Sequence, residues 1–123
     1  MTQIDPNLSI NYIIRPPQQL PNGLFVSIQG SSEHACYPIA DLDSIHDYES
    51  VEIVVWYNLA GTSTILTPAN FGIKEFQRYF FGKIGKFVPF YEIDEFIELM
   101  AAQKKDTIEL IVSRLRIQDR YTA

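Results

Sequence analysis

Apolar and polar positions alternate with the period of a strand in the first half of the chain and recur with the longer period of a helix in the second. Over residues 8–14, Leu8, Ile10, Tyr12 and Ile14 alternate with Ser9, Asn11 and Ile13 until Arg15-Pro16-Pro17 stops the run, which predicts a half-buried strand. After the turn signal Pro21-Asn22-Gly23, residues 24–29 form a second run. A third, over residues 35–40, is weaker because Pro38 removes a ladder donor and points to a sheet edge. Residues 51–59 make the strongest strand. Val51, Ile53, Val55 and Tyr57 share one face, and Val54 and Trp56 the other, so both faces are expected to be covered and Trp56 to be buried. Ala60-Gly61 then turns the chain back into residues 63–67 as a hairpin.

From Thr67 onwards the spacing lengthens. Thr67 as cap, Pro68 at the first helical position and Phe76, Tyr79 and Phe80 along one side predict a helix that ends at Gly82. A second helix is predicted over residues 92–104, where Ile93, Phe96, Ile97 and Met100 form an apolar stripe. Its acidic start and the Lys104-Lys105 end suit the helix dipole. Asp106 and Glu109, at capping-box spacing ahead of Ile108, Ile111, Val112 and Leu115, predict a third, although Ile108, Leu110 and Val112 also alternate as a strand would. The fold class that follows is α+β in one domain over residues 1–123. A four- to five-stranded, mostly antiparallel sheet from the N-terminal half is packed on one face by two to three C-terminal helices.

Composition is consistent with such a domain. With 123 residues, 46% of them hydrophobic, the chain is expected to bury roughly two thirds of the surface it exposes when unfolded. The single cysteine, Cys36, cannot form an internal disulfide, which fits a reducing compartment. The chain has no charged leader followed by an apolar run and no stretch of eighteen apolar residues. A cytoplasmic protein without membrane contact is therefore expected.

Charge changes the picture more. Between Pro16 and Ile73 there is no lysine or arginine, while Glu33, Asp41, Asp43, Asp47, Glu49 and Glu52 are all acidic. The rest of the chain is close to neutral, so the net charge of -5 is localised. Such a field repels phosphate backbones and anionic lipid and draws a basic partner.

Other constellations give weaker signals. The carboxylates of residues 41–52 approximate the spacing of a calcium loop, but Ile45 and His46 stand where an oxygen ligand and a glycine are needed. His34 and Cys36, with His46, lack the paired spacing of a zinc site. No metal or cofactor is expected. Gly82-Lys83-Ile84-Gly85-Lys86 has the Gly-x-x-Gly form of an RNA-backbone clamp, yet Pro89 interrupts the helix such a clamp requires. Nucleic acid is not expected as a partner.

The function expected from these features is a small acidic, non-enzymatic binding protein. Its acidic face, made by Glu33, Asp41, Asp43, Asp47, Glu49 and Glu52, docks on a basic protein in the manner of inhibitors and toxin-neutralising immunity proteins, whose partners include nucleases. The alternative is a structural, assembly or homodimeric adaptor using the aromatic, basic segment 71–91, with Phe71, Lys74, Arg78, Phe81, Lys83, Lys86 and Phe87 at the interface. A small enzyme, with carboxylates converging in the fold, stands third.

Overall fold

The computed structural model describes residues 13–122, with side-chain surroundings described as far as Arg120. Six strands form a single sheet: β1 (Gln18–Gln19), β2 (Phe25–Gln29), β3 (Ser50–Leu59), β4 (Thr62–Leu66), β5 (Phe80–Phe81) and β6 (Ile84–Pro89). The order β1-β2-β3-β6-β5 is antiparallel throughout. β4 pairs with the far half of β3, on the same side as β6. Two helices follow, α1 (Ile93–Ala101) and α2 (Lys105–Thr122). The α+β class and the C-terminal helices are as the periodicity predicts, but the strand count is higher because β5 and β6 come from the second half of the chain.

The ten-residue β3 is central because it alternates cleanly. Val51, Ile53, Val55 and Tyr57 are buried, and they pair across the inner face with Val26, Leu66 and Val88. α1 covers that face with Phe96 and Met100, and α2 with Ile108 and Val112, all four shielded from solvent. In α2 the buried residues are four apart while Leu110 and Ile117 are about half exposed, so helical spacing, not alternation, describes the segment. Phe76 packs edge-on against Phe96 at 5.2 Å, and Phe80 stacks on the same ring at 6.1 Å. Within the described residues no helix is long and apolar enough to cross a membrane.

Three expectations are corrected. The predicted helix ending at Gly82 is replaced by two short 3-10 turns, Pro68–Phe71 and Gln77–Tyr79. Gly72 ends the first in the left-handed conformation (φ 72°), as glycine readily does. The strand over residues 35–40 reduces to one bridge, Tyr37 with Ser50. The Gly82–Gly85 motif is the turn of the β5–β6 hairpin, with Gly85 beneath the Phe80 ring, 3.0 Å from where a Cβ would stand. Trp56 is only half-buried: among the described residues no helix covers its face of the sheet, and the ring stacks on Phe25 at 5.6 Å. The strand predicted over residues 8–14 lies outside the described residues except for Ile13 and Ile14, which have no regular structure.

Candidate functional site

Five of the six acidic residues lie in the long connection between β2 and β3, which is pinned from beneath, and Glu52 lies on β3 itself. Tyr48 is buried; its hydroxyl donates to the Ala40 carbonyl at 2.5 Å and accepts from Leu42 N at 2.9 Å. Arg15 lies over the Tyr48 ring and donates to the carbonyls of Gly30 at 2.6 Å and Leu42 at 2.8 Å. Gly30 must be glycine here, because a Cβ would stand 2.9 Å from the Tyr48 ring. Ser44 caps a short 3-10 helix, Ile45–Asp47, by accepting from His46 N.

The six predicted carboxylates do two different jobs. Asp41 accepts from Ser32 N and Oγ, at 2.9 and 3.1 Å, and Glu52 accepts from Ala35 N at 3.1 Å. These two hold the loop together. Glu33, Asp43, Asp47 and Glu49 are exposed, and among the described residues no cation pairs with them; the ion pair there is Arg78 with Glu92.

The loop also crosses the outer face of the sheet. Opposite Glu52, β6 places two residues, Lys86 and Phe87, where β3 has one, so a bulge interrupts the pairing between Val51 and Ile53. Phe87 takes a left-handed conformation (φ 52°) and turns its N–H away from β3 to the Ala35 carbonyl, 3.0 Å away. Its ring is left about half exposed.

Beside this junction Tyr37, Glu49, Ser50, Pro89, Phe90 and Tyr91 line an open cleft of about 640 Å³. Tyr37 is 57% and Tyr91 86% exposed, and Ile39 nearby in sequence is 63% exposed. His46 meets the Phe90 ring edge-on at 5.2 Å, which joins the acidic 3-10 helix to the cleft. Periodicity does not reveal this cleft, because Tyr37 and Ser50 are brought together with residues 89–91 only by the pairing of β3 with β6 and by the Tyr37 bridge.

The aromatic, basic segment is divided by the fold. Phe71 is half-buried against the core, whereas Lys74 and Lys83 are exposed. Phe81 and Lys86 lie together on the outer face, with Lys86 Nζ 5.7 Å from the Phe81 ring centroid. Arg78 covers the Tyr79 ring at 4.4 Å and pairs with Glu92 at 3.3 Å. The Tyr79 hydroxyl donates to the same carboxylate, and burial together with Glu92 raises its pKa, against an opposing effect from Arg78.

No group of three or more His, Cys, Asp or Glu residues is placed to hold an ion among the described residues. The His34 ring nitrogen meets Ser31 Oγ at 2.6 Å, and Cys36 is buried, with its thiol donating to the Ser31 carbonyl at 3.1 Å. A second opening of about 700 Å³, between the 20–25 turn and Asn58, has Lys105 as its one charged lining residue. No protein-family model matches the chain, and neither the curated proteins nor the solved structures give a significant match.

Proposed function

We propose that the protein is a non-catalytic binding module that docks the acidic face of its β2–β3 connection on a basic protein. The observation that supports this reading is the division among the carboxylates: Asp41 and Glu52 are spent on holding the loop, while Glu33, Asp43, Asp47 and Glu49 face solvent with no cation paired to them among the described residues. A loop pinned by Tyr48 and Arg15 presents those charges in a set arrangement, which favours recognition of one surface over general attraction. Exposed Tyr37, Ile39 and Tyr91 beside them supply the apolar contact that a lasting complex needs. Surfaces that bind phosphate backbones carry the complementary charge, so a nuclease or other nucleic-acid-binding protein is the class of partner that fits.

The test is capture by the immobilised protein from a low-salt extract of its source cells, followed by stopped-flow association with the captured partner. Replacing Glu33 by Gln and Asp43 and Asp47 by Asn is expected to slow association about tenfold or more at low salt, with melting unchanged. The wild-type rate is expected to fall as salt shortens the Debye length to about 8 Å. A rate indifferent to both changes rules the reading out.

A second reading, self-association through the open face of the sheet, is favoured by the exposed Ile65 beside Trp56 and the exposed pair Phe81 and Ile84.

A further inference from the structure

A sheet can be extended at any strand whose outer backbone groups are unpaired, and natural edges are guarded by brevity, proline, charge or a bulge. Among the described residues the sheet ends in β1, β5 and β4. The first two are guarded. β1 and β5 are two residues each, Pro16-Pro17 precedes β1, and the Gln29 side chain ties the Arg15 backbone at 2.6 and 2.8 Å. β4 has none of these devices: its five residues, Thr62-Ser63-Thr64-Ile65-Leu66, contain no proline and no charge, and they pair with β3 in unbroken register.

The turn that joins β3 to β4 shows which groups face outward. Ala60 and Gly61 both have positive φ (52° and 76°), so Leu59 and Thr62 are the bonded pair that closes a two-residue hairpin. Bonded pairs alternate along an antiparallel ladder. Tyr57–Thr64 and Val55–Leu66 are therefore the next two, and the N–H and C=O groups of Ser63 and Ile65 point away from β3. No hydrogen bond from the rest of the described residues reaches them. Arg116 comes from α2 and stops short, donating to the Thr62 carbonyl at 2.8 Å and the Thr64 hydroxyl at 3.3 Å. Ser63 and Ile65 are both exposed.

Two alternate residues with free backbone groups suit another strand. A free peptide would lose backbone entropy on joining so short an edge, at a cost comparable with the bonds it gains. A strand already ordered in a folded chain loses far less. β4 is also its own match, because an antiparallel copy with a two-fold axis at Thr64 sets Ser63 of each chain against Ile65 of the other and leaves no outward group unpaired. Charge permits the approach. The slot of about 330 Å³ beside the edge has Lys83 and Asp119 in its walls, one charge of each sign. Tyr57, opposite Thr64, lies about 23 Å along β3 from Ser50, where the acidic connection ends, so the acidic loops are separated by more than the Debye length of about 8 Å.

We infer that β4 is a self-association edge: two copies pair antiparallel through Ser63 and Ile65 and join their sheets into one. The contact uses the edge of the sheet, not its open face, and is independent of the acidic docking surface.

Sedimentation equilibrium and amide hydrogen exchange on the full chain test it. The mass is expected to rise towards that of a dimer with concentration, and over the same range the Ser63 and Ile65 amides should become about tenfold slower to exchange. Ser63→Pro removes an outward N–H and no bond to β3, so it should weaken the dimer about tenfold or more while leaving the melting temperature close to that of the parent. Ser63→Lys changes only an exposed side chain and should act in the same direction, which keeps the test decisive if the proline variant does not fold. Phe81→Ser, on the open face, should leave the dimer within about twofold. A monomer at every concentration, a dimer that forms with unchanged exchange at Ser63 and Ile65, or a dimer lost with Phe81→Ser but kept with both Ser63 variants would each overturn the assignment.

Discussion

At the scale of single residues, the fold relies on polar groups placed where the alternation alone would put carbon. Tyr57 points inward from β3 and is 4% exposed, and its hydroxyl donates to Glu109 Oε2 of α2 at 2.6 Å. Burial first, then the hydrogen bond and charge of Glu109, push its pKa up from 10.0 to about 12. Because the folded pKa lies above the unfolded one, the protonated phenol contributes stability that is complete below about pH 10 and is lost as the pH rises towards about 12. Tyr57→Phe should therefore be less stable than the parent at pH 8, with the gap closing between pH 10 and 12. Urea midpoints of both proteins across that range test this, and a gap independent of pH would remove the Tyr57–Glu109 bond as a source of stability. Sequence periodicity places Tyr57 on the inner face, but it says nothing of Glu109, fifty-two positions away.

At the scale of elements, β3 is the member the others depend on, since β2, β4 and β6 all pair with it. Val55 is fully buried between Val26 and Leu66. Val55→Asp should cost about 3 kcal/mol or more, because the carboxylate would be buried without a partner. A denaturation midpoint equal to that of the parent would contradict the central place given to β3. Helix α1 has a side-chain stop from a distant turn: Asn22 Nδ2 donates to the carbonyls of Met100 at 2.9 Å, in the last turn, and Gln103 at 2.8 Å, just beyond it. The predicted helix ending at Gly82 fails for a related reason. Gly72 stops the first turn and Phe80 is drawn into pairing with Gly85, so tertiary hydrogen bonds override a helical run of aromatics.

Over the whole molecule, one sheet face is closed by helices and the other is left with Phe25, Trp56 and Ile65 in a cross-strand row, and Phe81 beside Ile84. That face is built from residues other than the four exposed carboxylates, so the two readings of function can be separated by substitution. If the open face joins two copies, sedimentation should show a doubled mass at high concentration. Phe81→Ser, at a residue 63% exposed, should then weaken the dimer about tenfold while leaving partner association unchanged. A monomer at every concentration would discard self-association and leave the acidic face as the docking surface.

The strand pattern of residues 51–59, the helices at the C-terminal end and the concentration of negative charge were all determined by the sequence alone, because each depends on residues within a few positions of one another. Where Trp56 ends up was decided by tertiary structure, since burial depends on whether something covers its face and no local signal carries that. The same holds for the two kinds of carboxylate. Asp41 and Glu52 differ from Asp43 and Glu49 in the distant donors they meet, Ser32 N and Oγ for the one and Ala35 N for the other. The cleft of Tyr37, Ser50 and Tyr91 belongs wholly to the tertiary level: its walls come from three separate segments, and only the pairing around β3 brings them together.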